Sequence, residues 1–556
     1  MVRGCSECRR RDREIARHVA QHERDSEQSR LLTIERDDLR ARLERSEDAC
    51  KQLEGERDDL RARLTQHLRH RFGRRSERSG KSEASGQGAD ERSPTSGEAP
   101  SPENKRRRGQ QPGRPAPRRR RYDHLKTEEV AHDFGEVPRC PECDKPYEAF
   151  GEETSEELHF EVRIVRRIHR RKCYRRGCSC ERTPGIVAYP PPAKPIPKGR
   201  LSIGFLARLV FYKYGLGLPL ARIVALLAAE GAQFSPASLV GSLDRVGKLL
   251  APLAEAIRAH NATSSHLHVD ETSWKVFVLV PGKKNYRHWI WVFVGEDSVA
   301  FYLKPSRGRD VVVAHLGLVE DDSGRLGLPG GGELLLSSDF YTTYQSLGKE
   351  VEGLVNLWCW AHARRYVLRC GEAHQSCKAW ADAWLEAIRA LYRAWHACCA
   401  AEPGSEEETE ALDECRRIVE EMEKTRRSQA TDDQLPEPAK KVLSTLDHEW
   451  SGLVAFLEHP GVDLDNNRAE RHIRGPVVLR KGCYGSRSLT QAALAADAWS
   501  IISTIELAGW NPLTVLDAYL AAIARAGGPL SEGELKAFLP WAAPEEEASA
   551  FKRAPP

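Results

Sequence analysis

Between His266 and Cys359 the hydrophobic pattern takes on a strand period, and no other stretch limits the fold as strongly. His266 to Asp270, Trp274 to Val280 and Tyr286 to Val294 are β-branched and aromatic runs separated by turn residues, notably Pro281-Gly282. Val299 to Leu303 reads as a further strand and Arg309 to Leu316 as a helix. Glu333 to Ser338 and Leu354 to Cys359 are two more strands, and the second leads into a helix from Ala361.

Three strands, a helix, and then strands alternating with helices is the RNase H-like order, in which the first and fourth strands are neighbours. Residues 371–460 are helical and charged, too long for a connection between adjacent elements, and read as an all-α insertion. Asn467 to Ile473 and Gln491 to Leu507 read as helices that close the fold.

Residues 1–75 are charged and repeat themselves: Glu35 to Leu43 recurs as Glu56 to Leu64, three heptads later. Leu32, Leu39, Leu53 and Leu60 share one heptad position, which suits a self-associating coiled coil or a solvated single helix. Residues 76–121 are rich in Ser, Gly, Pro, Glu and Arg and cannot bury enough apolar surface to fold. Although the whole chain has a net charge of only +4, residues 101–121 hold nine basic side chains against Glu103, which suits a polyanion. There Gly113-Arg114-Pro115 lies between basic runs, and Arg114 suits a narrow minor groove or plain phosphate contact. Residues 200–262 read as helices, with a break at Glu230-Gly231-Ala232 and a cap at Ser235-Pro236. This is a helix-turn-helix pattern that fits DNA reading or an ordinary helical hairpin.

The chemistry centres on acids. Asp270 is expected at the end of the first strand and Asp339 just after the fourth, so the two carboxylates converge across neighbouring strands. Paired carboxylates suit hard divalent cations such as Mg2+ or Mn2+, which serve phosphodiester chemistry. Glu470 is the expected third ligand, ahead of Asp463 and Asp465, on a helix whose Arg471 and Arg474 suit strand phosphates. Arg364, Arg365, Arg480 and Lys481 are further candidate phosphate contacts. The knuckle Cys140-Pro141-Glu142-Cys143 followed by Cys173, Cys178 and Cys180 suits a thiolate zinc site. With no apolar leader and no long apolar run, the fifteen cysteines are expected to be reduced thiols or metal ligands in a soluble cytosolic protein.

The segments HVDETSW (268–274), DFYTTYQSL (339–347), CWAHARR (359–365) and NNRAERHIRGPVVLRKGCYGS (466–486) resemble those of transposases of the insertion sequence 66 family, within the DDE superfamily. The resemblance implies a DNA transposase with an RNase H-like core, with Asp270, Asp339 and Glu470 as its metal-binding triad. It implies a supporting role for Cys359 and His362, a Cys-x-x-His step shared by several DDE lineages. It also implies element ends and target DNA as partners, an oligomer held by the coiled coil, and small accessory proteins. The family's second zinc pair is usually Cys-x-x-Cys; here Cys173 to Cys178 is longer, so Cys178 and Cys180 remain alternatives.

The expected architecture is therefore multidomain α+β. It runs from coiled coil (1–75) through basic linker (76–121), zinc-finger-like module (122–190) and helical region (200–262) to the catalytic core. That core has two parts (263–370 and 461–510) around the insertion (371–460), and an extension (511–556) follows.

Overall fold

A computed structural model describes residues 164–175, 186–279, 285–320 and 324–553, with isolated positions nearer the N-terminus. The linker with Arg114 and the candidate zinc ligands Cys140, Cys143, Cys178 and Cys180 lie outside the described residues. Cys173 is described, exposed on a short strand paired antiparallel with Ile186–Ala188. The described positions between Arg10 and Arg57 are helical and exposed, Leu39 and Leu43 among them.

The centre is a five-stranded sheet of β1 (His266–Lys275), β2 (Arg287–Val294), β3 (Val299–Lys304), β4 (Leu334–Ser338) and β5 (Leu354–Trp358). Its order is β5-β4-β1-β2-β3, so the first and fourth strands are neighbours, as the sequence order requires. β2 runs antiparallel to β1 and β3, whereas β4 runs parallel to β1 and β5. Both faces are covered, which is why the run Trp289 to Val294 is apolar without interruption. Ile290, Val292 and Val294 face one core, and Trp291 and Phe293 face the other. Fully burying one such side chain contributes about 2 kcal/mol.

One expectation fails here. His266 to Asp270 and Trp274 to Val280 are not two strands: β1 continues through Glu271-Thr272-Ser273, pairing with β2 from His268↔Val294 to Lys275↔Arg287. Asp270 therefore lies in mid-strand rather than at a strand end. The polar tripeptide reads as a turn locally, but distant residues enclose and satisfy it.

The first core packs beneath helices α1 (Ile203–Val210), α2 (Leu220–Ala229) and α3 (Pro236–Asn261). Ser235 caps α3 by accepting from the Ser238 backbone N–H, and Pro236 occupies the first turn, where a missing N–H costs nothing. The second helix of the helix-turn-helix pattern is thus built into the core, with Leu243, Val246, Leu250 and Leu253 fully buried. On the other face lie α4 (Asp310–Leu316), α5 (Thr342–Glu350) and α6 (Trp360–Ala373). The region 371–460 is helical as expected: α7 (Lys378–Ala400), α8 (Glu406–Ala430), α9 (Glu437–His448) and α10 (Trp450–Val454). Inside it, the indoles of Trp380 and Trp384 both donate to Gln429 Oε1 at 2.9 Å. The chain returns through α11 (Asn467–Cys483) and α12 (Leu489–Leu507), and α13 (Pro512–Ala526) packs back on α1. Among the described residues no helix is long and apolar enough to cross a membrane.

Candidate active site

Strand parity brings the first two acids together. In the parallel ladder His266 pairs with Leu335 and His268 with Ser337; Asp270 and Asp339 each follow two residues beyond that last pair, near enough for the Asp339 charge to act on the Asp270 carboxyl. β4 ends at Ser338, and the Asp339 Oδ1 accepts from the Tyr341 backbone N–H at 3.0 Å, which fixes the carboxylate at the start of α5. Asp270 Oδ1 accepts from the Glu271 N–H at 2.8 Å.

Glu470 arrives on the first turn of α11, and three contacts fix where that helix begins. Asn466, 2 % exposed, donates from Nδ2 to the Val269 carbonyl at 2.6 Å, and its Oδ1 meets His268 Nδ1 at 3.2 Å. Its backbone N–H donates to Cys359 Sγ at 3.2 Å. Cys359 is thus a buried thiol that accepts a hydrogen bond, and burial pushes its pKa up to about 12, so it stays protonated. Asn466 was missed in the sequence, although a doubled Asn ahead of a helix is a capping signal. Asn466→Ala removes both side-chain contacts in a dry site and is expected to cost about 2–4 kcal/mol. Thermal unfolding should show a lower midpoint, and an unchanged midpoint would mean that the clamp does not hold α11.

Burial, with Glu271, Asp339 and Glu470 nearby, raises the Asp270 carboxyl well above the usual range. Glu271 points to the opposite face of β1, where Arg307 bonds it at 2.7 and 2.9 Å and the Tyr344 hydroxyl donates at 2.5 Å. Arg307 in turn stacks over Tyr341 and Trp289. Sequence reading also missed this layer, because a Glu beside the candidate Asp gives no sign of its partners. His362 Nε2 lies 3.9 Å from Glu470 Oε1. Burial and Arg365 lower its pKa against the pull of Asp339 and Glu470, which favours a neutral ring.

Glu470 Oε2 is also 3.9 Å from Arg474, so that arginine leans on the acid instead of standing clear of it. Asp465 caps α11 through the Asn467 N–H at 3.0 Å and interacts with Tyr392 of the insertion. Arg480 departs from the expected phosphate contact: its NH1 donates to Thr272 Oγ1 at 3.0 Å and to the Ser273 carbonyl, tying α11 to β1. Arg471 and Lys481 are exposed on α11, while Arg364 and Arg365 are half-buried on α6.

The segment after α11 is knotted to the sheet. Ser486 donates its N–H to the Lys275 carbonyl at 2.8 Å and accepts from the Phe277 N–H at 2.9 Å, and the Trp274 indole donates to its hydroxyl at 3.1 Å. α11 is therefore fixed at both ends, by Asn466 and by Ser486.

Among the described residues no three His, Cys, Asp or Glu side chains converge closely enough to hold one metal ion as they stand. Each carboxylate is committed locally. The donor set nevertheless has the right chemistry for a hard divalent cation: carboxylate oxygens, one of them half-buried among like charges that a cation would relieve.

A family model described as Transposase IS66 family matches residues 198–494, over half of the chain, and spans all three carboxylates. This chain belongs to the IS66 transposase family. It is also similar to three uncharacterized proteins of Sinorhizobium fredii. To y4qI it is 27% identical over 78% of this chain and 79% of that protein. To y4hP it is 24% identical over 70% of each, and to y4jD 26% identical over 72% of this chain and 77% of that protein. The part shared with the family model runs from the helices before the sheet to the start of α12, the same elements that surround the acids.

Proposed function

We propose that this chain is an active transposase that binds the ends of its element and cuts and joins DNA strands, with Asp270, Asp339 and Glu470 as the ligands for Mg2+ or Mn2+. The observation that carries this reading is that the neighbouring strands β1 and β4 deliver Asp270 and Asp339 close together, with the charges of Asp339 and Glu470 both acting on the Asp270 carboxyl. A divalent cation held there would neutralise charge on the scissile phosphate and favour the attacking oxygen. Asp270 and Asp339 hold their positions through the strand ladder and the turn into α5, while His362 remains a neutral positioning group beside Glu470. Arg471 and Lys481 supply exposed positive charge for the strand phosphates, and Arg474, which leans on Glu470, would be free to meet DNA if a cation were held by that carboxylate. The coiled coil would pair two protomers so that both element ends are held together. Cys140, Cys143 and Cys173 with Cys178 or Cys180 would hold zinc, and small accessory proteins of the same element would join the assembly.

The test is product analysis. Incubated with DNA carrying the element ends, Mg2+ and a target plasmid, the full chain is expected to yield joined product, and Asp339→Asn none. Cleaved ends with no joined product would replace this reading by that of a hydrolytic nuclease.

A further inference from the structure

Away from the carboxylates, a cavity of about 590 Å3 opens beside the turn between α2 and α3. Its floor is apolar, made by the buried Ile196 and Leu206 with the half-buried Phe234, and its rim carries Lys198, Arg200 and Arg245. Among the described residues no acidic side chain lines it, and the three cations have no ion pair or hydrogen bond. Elsewhere in the chain Arg258, Arg307 and Arg417 are paired with carboxylates. Three unpaired like charges on one rim repel one another and gain from an anion between them.

The backbone supports the same conclusion. Lys198 has a φ of 56°, in the left-handed region, within a turn closed by the Gly199 N–H donating to the Ile196 carbonyl at 2.9 Å. That conformation costs a residue with a side chain about 1 kcal/mol relative to glycine, yet a lysine occupies it. The hydroxyls around the cavity are already engaged, Ser238 with the Ser235 carbonyl at 2.8 Å and Ser242 with the Ser238 carbonyl at 2.9 Å. Recognition therefore falls to the cations and the Gln233 amide, with the Phe234 ring as the aromatic part of the lining.

We infer that this cavity binds a nucleotide phosphate, with the three cations on the phosphate and the adjoining base or sugar against Phe234. The ligand is a unit of a DNA strand or a free nucleotide; both share this chemistry. The choice of DNA rests on the function proposed above and makes the cavity a second hold on the strand, rigidly joined to the sheet through α3. Because one face of α3 is buried from Leu239 to Asn261, strand held on its exposed face is fixed relative to the carboxylates rather than tethered loosely.

The experiment uses the full chain with a fluorescein-labelled duplex, titrated by anisotropy at several salt concentrations, and with inorganic phosphate or a deoxynucleoside monophosphate by calorimetry. Two variants are compared with the parent: the triple Lys198→Gln, Arg200→Gln, Arg245→Gln, and Ser238→Trp, which fills the cavity without changing charge. Ser238 and the three cations are exposed, and thermal unfolding checks that both variants fold. The triple variant is expected to bind duplex about 10- to 100-fold more weakly, with a log–log salt slope smaller by about 2 to 3, and Ser238→Trp is expected to weaken binding as well. If the parent binds no DNA but binds the monophosphate, and both variants lose it, the cavity stands with a free nucleotide as ligand and the DNA reading falls. If the parent binds DNA and the triple variant matches it in affinity and slope, the inference is overturned. It is equally overturned if only the triple variant weakens while Ser238→Trp does not, since general surface charge would then explain the loss.

Discussion

Asp270→Asn is expected to abolish DNA strand cleavage while raising the thermal unfolding midpoint of the metal-free protein. The two effects come from one arrangement. Asp270 is half-buried in mid-strand near Glu271, Asp339 and Glu470, and loss of solvent with those like charges disfavours its ionised form. Its folded pKa is raised above the unfolded value, so the folded state binds the proton more tightly than the unfolded one. Stability is therefore greatest at low pH and is lost as pH rises from the ordinary carboxylate range through the raised pKa. Asparagine keeps the shape and removes the charge, so its advantage over the parent grows with pH. The same change would remove a ligand for the cation proposed above, and losing several kcal/mol of transition-state stabilisation corresponds to roughly a thousandfold in rate. Adding Mg2+ should stabilise the parent and leave the variant unmoved. A variant that is less stable than the parent without metal, at neutral pH, would mean that Asp270 is not under the repulsion described.

Gly485→Ala is expected to lower both stability and activity, the opposite pairing. Gly485 has a φ of 139°, and a Cβ there would lie 2.1 Å from the Lys275 carbonyl oxygen, which is backbone and cannot turn aside. The knot of Ser486 on β1 would have to open, freeing the C-terminal end of α11 from the sheet. The expected cost is about 2–4 kcal/mol, read as a drop in unfolding midpoint, with weakened strand joining because Glu470 rides on the loosened helix. An alanine variant with full stability would show that the segment reaches the strand by another route.

Much of the fold was legible because it rests on local patterns. The run Trp289 to Val294 is too apolar and too short for anything but a strand covered on both sides, and Ser235-Pro236 marks the start of α3 by capping chemistry alone. The nearness of Asp270 and Asp339 was expected from strand order, because the first and fourth strands are neighbours. The polar centre of β1 was misread because Glu271 owes its burial to Arg307 and Tyr344, 36 and 73 residues away, which no local window shows. Arg480 was misread for a related reason. A basic side chain beside a candidate site looks available for phosphate until the structure shows one of its nitrogens engaged by Thr272 and Ser273. Glu470 owed more of its assignment to the family motif than the other two acids did, and the clamp made by Asn466 and Cys359 supplies a physical reason for its position.

That clamp also bears on how the gene can be cut. Cys359 and Asn466 touch although 107 positions separate them, and the Trp360 N–H donates to the Leu464 carbonyl at 2.9 Å. The helices between them leave and re-enter the core through a single doorway. Two polypeptides divided in the connection between α7 and α8 would each carry one side of that doorway, and co-expression offers a route to a transposase assembled from halves.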